Sequence, residues 1–251
     1  MSAKFRQAPR RQRLRKALVL TSFLLFPITL NFLSPYVIIA GAMEGIVNGS
    51  LIVFGLLFVG SLFFGRLWCG WICPGAGMAE VSSSVNNAPF VSKRGDWIKW
   101  AIWAPWILLI VGLAVQAGGY RSVNPLYLTE SGISVDEPVK YIIYFTVIGL
   151  FVGLSIAFGR RAGCHTICWM APFMILGRGL SNRLGLPALQ LATDPNACVK
   201  CTSCTTTCPM SLPVATLVQT GRIEHPECIL CGTCADGCSK KAIRFSFGPG
   251  R

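Results

Sequence analysis

Residues 198–208 read CVKCTSCTTTC, and residues 228–238 read CILCGTCADGC. Both runs have the spacing C-x2-C-x2-C-x3-C, in which three cysteines wrap one iron–sulfur cube and the fourth serves a second. On that rule Cys198, Cys201, Cys204 and Cys238 hold one [4Fe–4S] cluster, and Cys208, Cys228, Cys231 and Cys234 hold another. Zinc needs neither the third nor the fourth cysteine at these spacings. Disulfides are not expected on a cytosolic face. Nineteen residues separate the runs, enough for a small pseudo-twofold α+β domain of the bacterial 2[4Fe–4S] ferredoxin kind, over residues 196–251. Pro209 follows Cys208, but Ser239 follows Cys238, a difference that bears on the backbone support and potential of one cluster.

Upstream the composition changes. The 251 residues are 53% hydrophobic and 13% charged, with a mean hydropathy of +0.56, whereas soluble domains carry about 25% charged residues. Apolar stretches at 17–33, about 46–64, 97–117 and 139–158 approach the roughly 20 residues needed to cross a bilayer. None follows residue 176. This predicts an all-α membrane domain over 17–176 with four transmembrane helices. Residues 177–195, rich in glycine and proline, read as a connector to the tail. Pro27 and Pro105 fall inside spans and predict kinks, because neighbouring chain can satisfy the freed backbone groups.

The net charge of +13 is unevenly placed. Seven of the 23 basic residues, Lys4, Arg6, Arg10, Arg11, Arg13, Arg15 and Lys16, fall in the first 16 positions. They immediately precede the first apolar run, the mark of a cytoplasmic flank. No nucleic-acid recognition fold accompanies them, so nucleic acid is not an expected partner. The N-terminus resembles a signal peptide up to Ala40-Gly41-Ala42, but that small-residue site lies far beyond the apolar run. An uncleaved first helix is therefore expected.

With the N-terminus inside, residues 34–50 (with Glu44) and 118–138 (with Arg121, Glu130, Asp136 and Glu137) face outward. Residues 78–96, with Lys93 and Arg94, face inward, and Lys99 is expected to snorkel. The tail lies on the cytoplasmic side of the inner membrane, and the protein is multi-pass.

A second cysteine pattern occurs twice in the membrane half: GRLWCGWIC at 65–73 and GRRAGCHTIC at 159–168. Each follows the return helix of a hairpin, so the four helices read as two pseudo-repeated hairpins, an arrangement that places functional groups at the repeat interface. Of 12 cysteines the tail uses eight; Cys69, Cys73, Cys164 and Cys168 are the remaining four. On a helix, i and i+4 share a face, so two facing pairs would form a four-thiolate site for a third iron–sulfur cluster or another thiophilic metal. A reversible dithiol device and simple buried packing stay open beside it. Arg66, Arg160 and Arg161 could offset a cluster's negative charge or serve as ordinary flanks. Trp68 and Trp71 read as interfacial residues.

Absent motifs narrow the chemistry. No C-x-x-C-H occurs, which excludes c-type haem attachment. The two histidines are His165, beside the membrane cysteines, and His225 in the tail. Neither a GxGxxG nor a P-loop is present, so dinucleotide binding and ATP-driven work are unsupported.

Together, four helices, two C-x-x-x-C pairs and a double ferredoxin run over residues 17–240 resemble the NapH-type membrane polyferredoxins. The same core is similar to parts of the regulator of nitrous-oxide reduction and of the cbb3 oxidase assembly protein. Cys69-x-x-x-Cys73-Pro74 matches the family's cysteine–proline motif; Cys164-x-x-x-Cys168-Trp169 lacks the proline. The resemblance implies a membrane-bound iron–sulfur subunit that relays electrons between a quinol pool or cytoplasmic donor and another redox subunit of a respiratory complex. Lacking the extra domains of the other two proteins, the chain reads as a relay subunit more than a stand-alone enzyme. A quinone is a further candidate partner; Tyr141, Tyr144 and Trp103 could line its pocket or simply pack. A copper-handling maturation factor and a redox-sensing membrane regulator are the rival functions.

Overall fold

The structure is a computed structural model that describes residues 9–91, 95–129 and 133–249. Lys4, Arg6, Lys93, Arg94 and Glu130, used above to read topology, lie outside the described residues.

Helix α1 (Arg10–Leu24) starts within the basic segment, well ahead of the apolar run. It is followed by α2 (Phe26–Thr29), a 3-10 turn η1 (Leu30–Leu33) and α3 (Pro35–Glu44). The axis bends by 60° between α1 and the α2–η1 stretch. Pro27 lacks an N–H and its ring crowds the carbonyl four residues back, so here the chain breaks where the sequence predicts only a kink. Pro105 behaves differently, lying inside an unbroken helix α7 (Gly95–Gln116).

Between them come β1 (Ile46–Asn48), α4 (Gly49–Phe64), α5 (Leu67–Trp71) and α6 (Pro74–Ser82); after α7 come β2 (Ser122–Asn124), α8 (Pro138–Phe158), α9 (Ala162–Thr166) and α10 (Ala171–Leu184). At about 1.5 Å per residue, α7 and α8 reach roughly 30 Å. The 16 residues of α4 reach only about 24 Å. Two described helices, α7 and α8, are thus long and apolar enough to cross a bilayer, or three if the bent α1–η1 pair is one span. Leu108 on α7 and Ile142 on α8 are 72% and 67% exposed, as lipid-facing positions are.

Close contacts bind the membrane half together. Strands β1 and β2 pair in parallel, Ile46 opposite Ser122 and Asn48 opposite Asn124, so the connections after α3 and α7 meet at one end. Asn48 is fully buried there; its side chain accepts from the Leu51 N–H and donates to the Val37 carbonyl. Further along, α10 lies against α4 so closely that a Cβ on Gly177 would stand 1.9 Å from Ser61 Oγ, a small-residue contact of the membrane kind.

The tail contains β3 (Pro187–Thr193), α11 (Ser203–Thr206), α12 (Val214–Val218), β4 (Arg222–Ile223), α13 (Thr233–Gly237) and β5 (Ile243–Pro249). Its sheet has the order β4-β3-β5, antiparallel throughout, with Leu191 opposite both Ile223 and Phe245. Residues 177–195 hold the second half of α10 and the central strand β3. Their glycine and proline sit at the junctions: Gly185, at φ +63, ends α10, and Pro187 begins β3. The tail rests on the helices through Arg178, which clasps Glu224 at 2.7 and 3.1 Å, and through Arg11, which clasps Asp236 at 2.6 and 3.0 Å.

Candidate metal centres

The two cysteine runs of the tail follow the same backbone path. Lys200 (φ 54) matches Leu230 (φ 49), Thr202 (φ 59) matches Gly232 (φ 74), and Ser211 matches Lys241, both at φ 53. Five of these six are not glycine, and left-handed backbone costs of order 1–3 kcal/mol for such residues. Repeated at equivalent places, that strain coils each run inward. Helices α11 and α13 start directly after Thr202 and Gly232. Cys198, Cys201, Cys204 and Cys238 line one cavity; Cys208, Cys228, Cys231 and Cys234 line another. The Ala242 N–H donates to Cys238 Sγ at 3.3 Å.

The electrostatics of the second quartet suit a cation. Burial, then the neighbouring Cys231 and Cys208, push the Cys228 thiol up to about 12. Burial and the thiols around it also push Cys234 upward. Cys208, Cys228 and Cys234 thus resist ionising and need a positive centre to become thiolates, and metal binding expels those protons. The donor set therefore fits an iron–sulfur cluster.

In the membrane half the two pairs share a succession of elements. Helix α4 ends at Gly65 (φ +52) and α8 at Gly159 (φ +101). An arginine follows in each case, then a five-residue helix carrying the first cysteine, α5 or α9. Cys73 and Cys168 lie two residues past those helices. The expectation that each pair shares one helix face is not met, because α5 stops at Trp71 and α9 at Thr166. All four cysteines nevertheless line a single cavity. Pro172 lies in the first turn of α10 as Pro74 does in α6. A proline directly after Cys168 is thus not needed to start the next helix.

The cavity wall is otherwise apolar, with Phe151 of α8 and Ile229 of the tail, and two arginines. Arg66 Nη1 donates to the Pro226 carbonyl and Glu227 Oε2, both at 2.8 Å. Arg161 Nη1 donates to the Cys69 carbonyl at 3.3 Å. Arg160 turns away and holds the tail, donating to the Thr206 and Cys208 carbonyls at 2.7 and 3.1 Å. Trp71 does the same, its Nε1 donating to the Leu230 carbonyl at 3.1 Å. Of the aromatics considered for a quinone, Tyr141 and Tyr144 both pack on Phe145 of α8, Tyr144 also on Phe26, whereas Trp103 of α7 packs on Phe173.

A buried charge cluster beside this cavity escaped sequence reading. Lys99 does not snorkel: its ammonium is fully buried and bonded to Glu227, which Arg66 also holds. Burial opposes ionisation of Glu227, but Arg66 and then Lys99 outweigh it and hold the carboxyl at about 2. His165 Nδ1 lies 2.7 Å from Asp96 Oδ1, and its ring stacks on Phe90 at 4.7 Å. Asp96, His165 and Glu227 bring their ligand atoms within 4.8 Å of one another, but Lys99 and Arg66 already supply the positive charge there. The only local signals were an acid next to Cys228 and a lysine in an apolar helix, 128 residues apart.

Comparison with known proteins points to iron–sulfur binding. Residues 49–93, whose only cysteines are Cys69 and Cys73, match a 4Fe-4S binding domain, and residues 197–243 match a 4Fe-4S dicluster domain. An uncharacterized protein of Methanocaldococcus jannaschii is 27% identical over 82% of this chain and 82% of its own length. YccM of Escherichia coli K12, whose name assigns it provisionally to electron transport, is 23% identical over 81% of this chain and 57% of its own length. The nitrogen fixation protein FixG of Rhizobium meliloti is 25% identical over 76% of this chain, which spans 41% of FixG. No solved structure matches. The chain carries two 4Fe-4S domains and apolar helices compatible with a membrane, and is similar to membrane-associated polyferredoxin-like proteins.

Proposed function

We propose that this chain is an iron–sulfur electron-transfer subunit of the NapH polyferredoxin type, multi-pass in the inner membrane with its tail in the cytoplasm. Cys198, Cys201, Cys204 and Cys238 hold one [4Fe–4S] cluster; Cys208, Cys228, Cys231 and Cys234 hold a second. Cys69, Cys73, Cys164 and Cys168 hold a third iron–sulfur centre at the junction of two pseudo-repeated hairpins. The match of residues 49–93 to a 4Fe-4S domain favours metal over a dithiol device. Arg66 and Arg161, the two cations on the cavity wall, offset the negative charge that four thiolates leave on such a centre.

One observation carries the order of the relay. Ile229 lines both the cavity of the second tail quartet and that of the membrane quartet. The second tail cluster is therefore the gateway to the membrane centre. The first tail cluster is the outer terminus, since Cys201 and Val199 are exposed beside it. Lys200, Lys240 and Lys241 are exposed around the same mouth, which suits an acidic cytoplasmic redox partner. Beyond the membrane centre, the partner is a quinone or another redox subunit.

The test uses membranes containing the intact chain, reduced with dithionite and followed by electron paramagnetic resonance as menadione is added. Signals of the tail clusters should vanish rapidly in wild type. In the variant with Cys69, Cys73, Cys164 and Cys168 all changed to serine, they should persist at least about tenfold longer. Equal decay in both, or fully expressed protein without iron, would contradict the relay.

A further inference from the structure

The structure holds a cavity of about 540 Å³ away from the three thiol quartets, between α1, α6 and the tail. That size falls within the range of small-ligand pockets, roughly 300–1,000 Å³. Its wall carries Arg15, Lys16, Arg160 and Arg161 against two acids, Glu80 and Asp236. Asp236 is taken by Arg11, at 2.6 and 3.0 Å. Glu80 is shared three ways: Arg15 at 2.6 Å, Lys16 at 3.4 Å and Arg161 at 3.8 Å. Among the described residues Arg160 is bound only to carbonyl oxygens. Among the described residues five basic groups thus meet two acids, and with Arg161 also serving the thiol cavity a surplus of two positive charges is left.

A second observation points to a ligand. Arg161 is 4% exposed in its side chain, and its Nη2, 3.8 Å from Glu80 Oε1, has no hydrogen-bond partner among the described residues. Its Nη1 is engaged on the Cys69 carbonyl, so the unpartnered nitrogen is the one on the Glu80 side, where the cavity lies. The residue also holds left-handed backbone, at φ 55. An unpaired buried donor costs about 1–3 kcal/mol, and guanidinium forks match phosphate oxygens.

We infer that this cavity binds the phosphate group of an anionic ligand. A phosphate group offers more acceptor oxygens to converging guanidinium groups than a carboxylate does. Helix α1 shows where the group comes from. Leu14 and Leu18, one turn apart, are 56% and 42% exposed, next to the basic residues of the same helix. An exposed apolar stripe beside basic side chains is the pattern of a helix lying in a membrane interface, and basic pockets at that level hold phospholipid headgroups. A soluble phosphate ester has the same chemistry and is the other source to be tested. Through Arg161 the occupant is one residue removed from the Cys69 carbonyl, so its charge reaches the membrane thiol site.

The experiment uses the full chain purified in detergent, as wild type and as Lys16→Glu and Ser83→Asp. Both variants add negative charge to the cavity wall without touching a cysteine, and each is accepted only if its iron content equals that of wild type. Lipid extracts are weighed by mass spectrometry, and binding of phosphatidylglycerol nanodiscs and of glycerol 3-phosphate is measured. Wild type should retain about one anionic phospholipid per chain, and the variants roughly tenfold less. Retention of no lipid, with glycerol 3-phosphate bound and the binding lost in both variants, would support the site with a soluble source. Wild type binding neither ligand, or variants retaining as much lipid as wild type, would overturn it.

Discussion

Gly70 lies against the carbonyl oxygen of Ile229 so closely that a Cβ on Gly70 would stand 2.4 Å from it. This contact joins the turn that carries Cys69 to the loop between Cys228 and Cys231. A Gly70→Ala substitution must push the two apart. Overpacking of this kind costs about 1–3 kcal/mol. All irons should remain, while transfer from the tail to the membrane centre slows. Stopped-flow reoxidation of the reduced tail clusters measures this, and an unchanged rate would remove Gly70 from the path.

Glu227→Gln should destabilise the chain severely. It leaves the buried Arg66 and Lys99 without their shared carboxylate, and breaking a buried pair costs about 3–5 kcal/mol. Thermal unfolding in detergent should show a large drop in midpoint. A Lys99→Met change combined with Glu227→Gln should recover part of it, because one unpaired charge is removed as well.

The Arg178–Glu224 clasp makes docking of the tail sensitive to acid. Burial resists ionisation of Glu224, but the Arg178 hydrogen bonds and charge outweigh it and hold the carboxyl below its ordinary value of 4.5. A depressed carboxylate contributes stability above its unfolded value and loses it as pH falls through the folded one. Protection of β4 and the end of α10 from hydrogen exchange should therefore hold at neutral pH and fall below about pH 4.5. In Glu224→Gln that acid dependence should be reduced, with a loss of about 1–3 kcal/mol already at pH 7.

Charge reversal at Lys200 and Lys240 should slow reduction of the tail by an acidic soluble donor by about tenfold or more at low salt. The difference should shrink as ionic strength rises. Equal rates at low salt would place the donor elsewhere.

The readability of this chain followed the range of its interactions. The tail cysteines are local in sequence, and their spacing groups them as the cavities do. Assigning Cys69, Cys73, Cys164 and Cys168 to one place needed only counting, because the eight tail cysteines left four. How the pairs are presented was not legible. Helix periodicity places Cys69 and Cys73 on one face, but α5 ends at Trp71 and Pro74 starts a new helix, and both cysteines line the cavity from either side of that break. Nor could periodicity show the burial of Lys99 or the reach of Arg15 to Glu80. Those depend on partners 65 to 128 residues away, and local patterns carry no record of them. Composition reads 46–64 as a span, and the structure ends α4 at Gly65 after 16 residues.

The most direct test counts iron and acid-labile sulfide per chain in protein purified without oxygen, for wild type and for the variant with Cys69, Cys73, Cys164 and Cys168 changed to serine. Two tail cubes account for about eight irons. Wild type should give a value clearly above eight that falls to about eight in the variant. About eight in both would leave the membrane cysteines without a cluster and contradict the relay into the membrane.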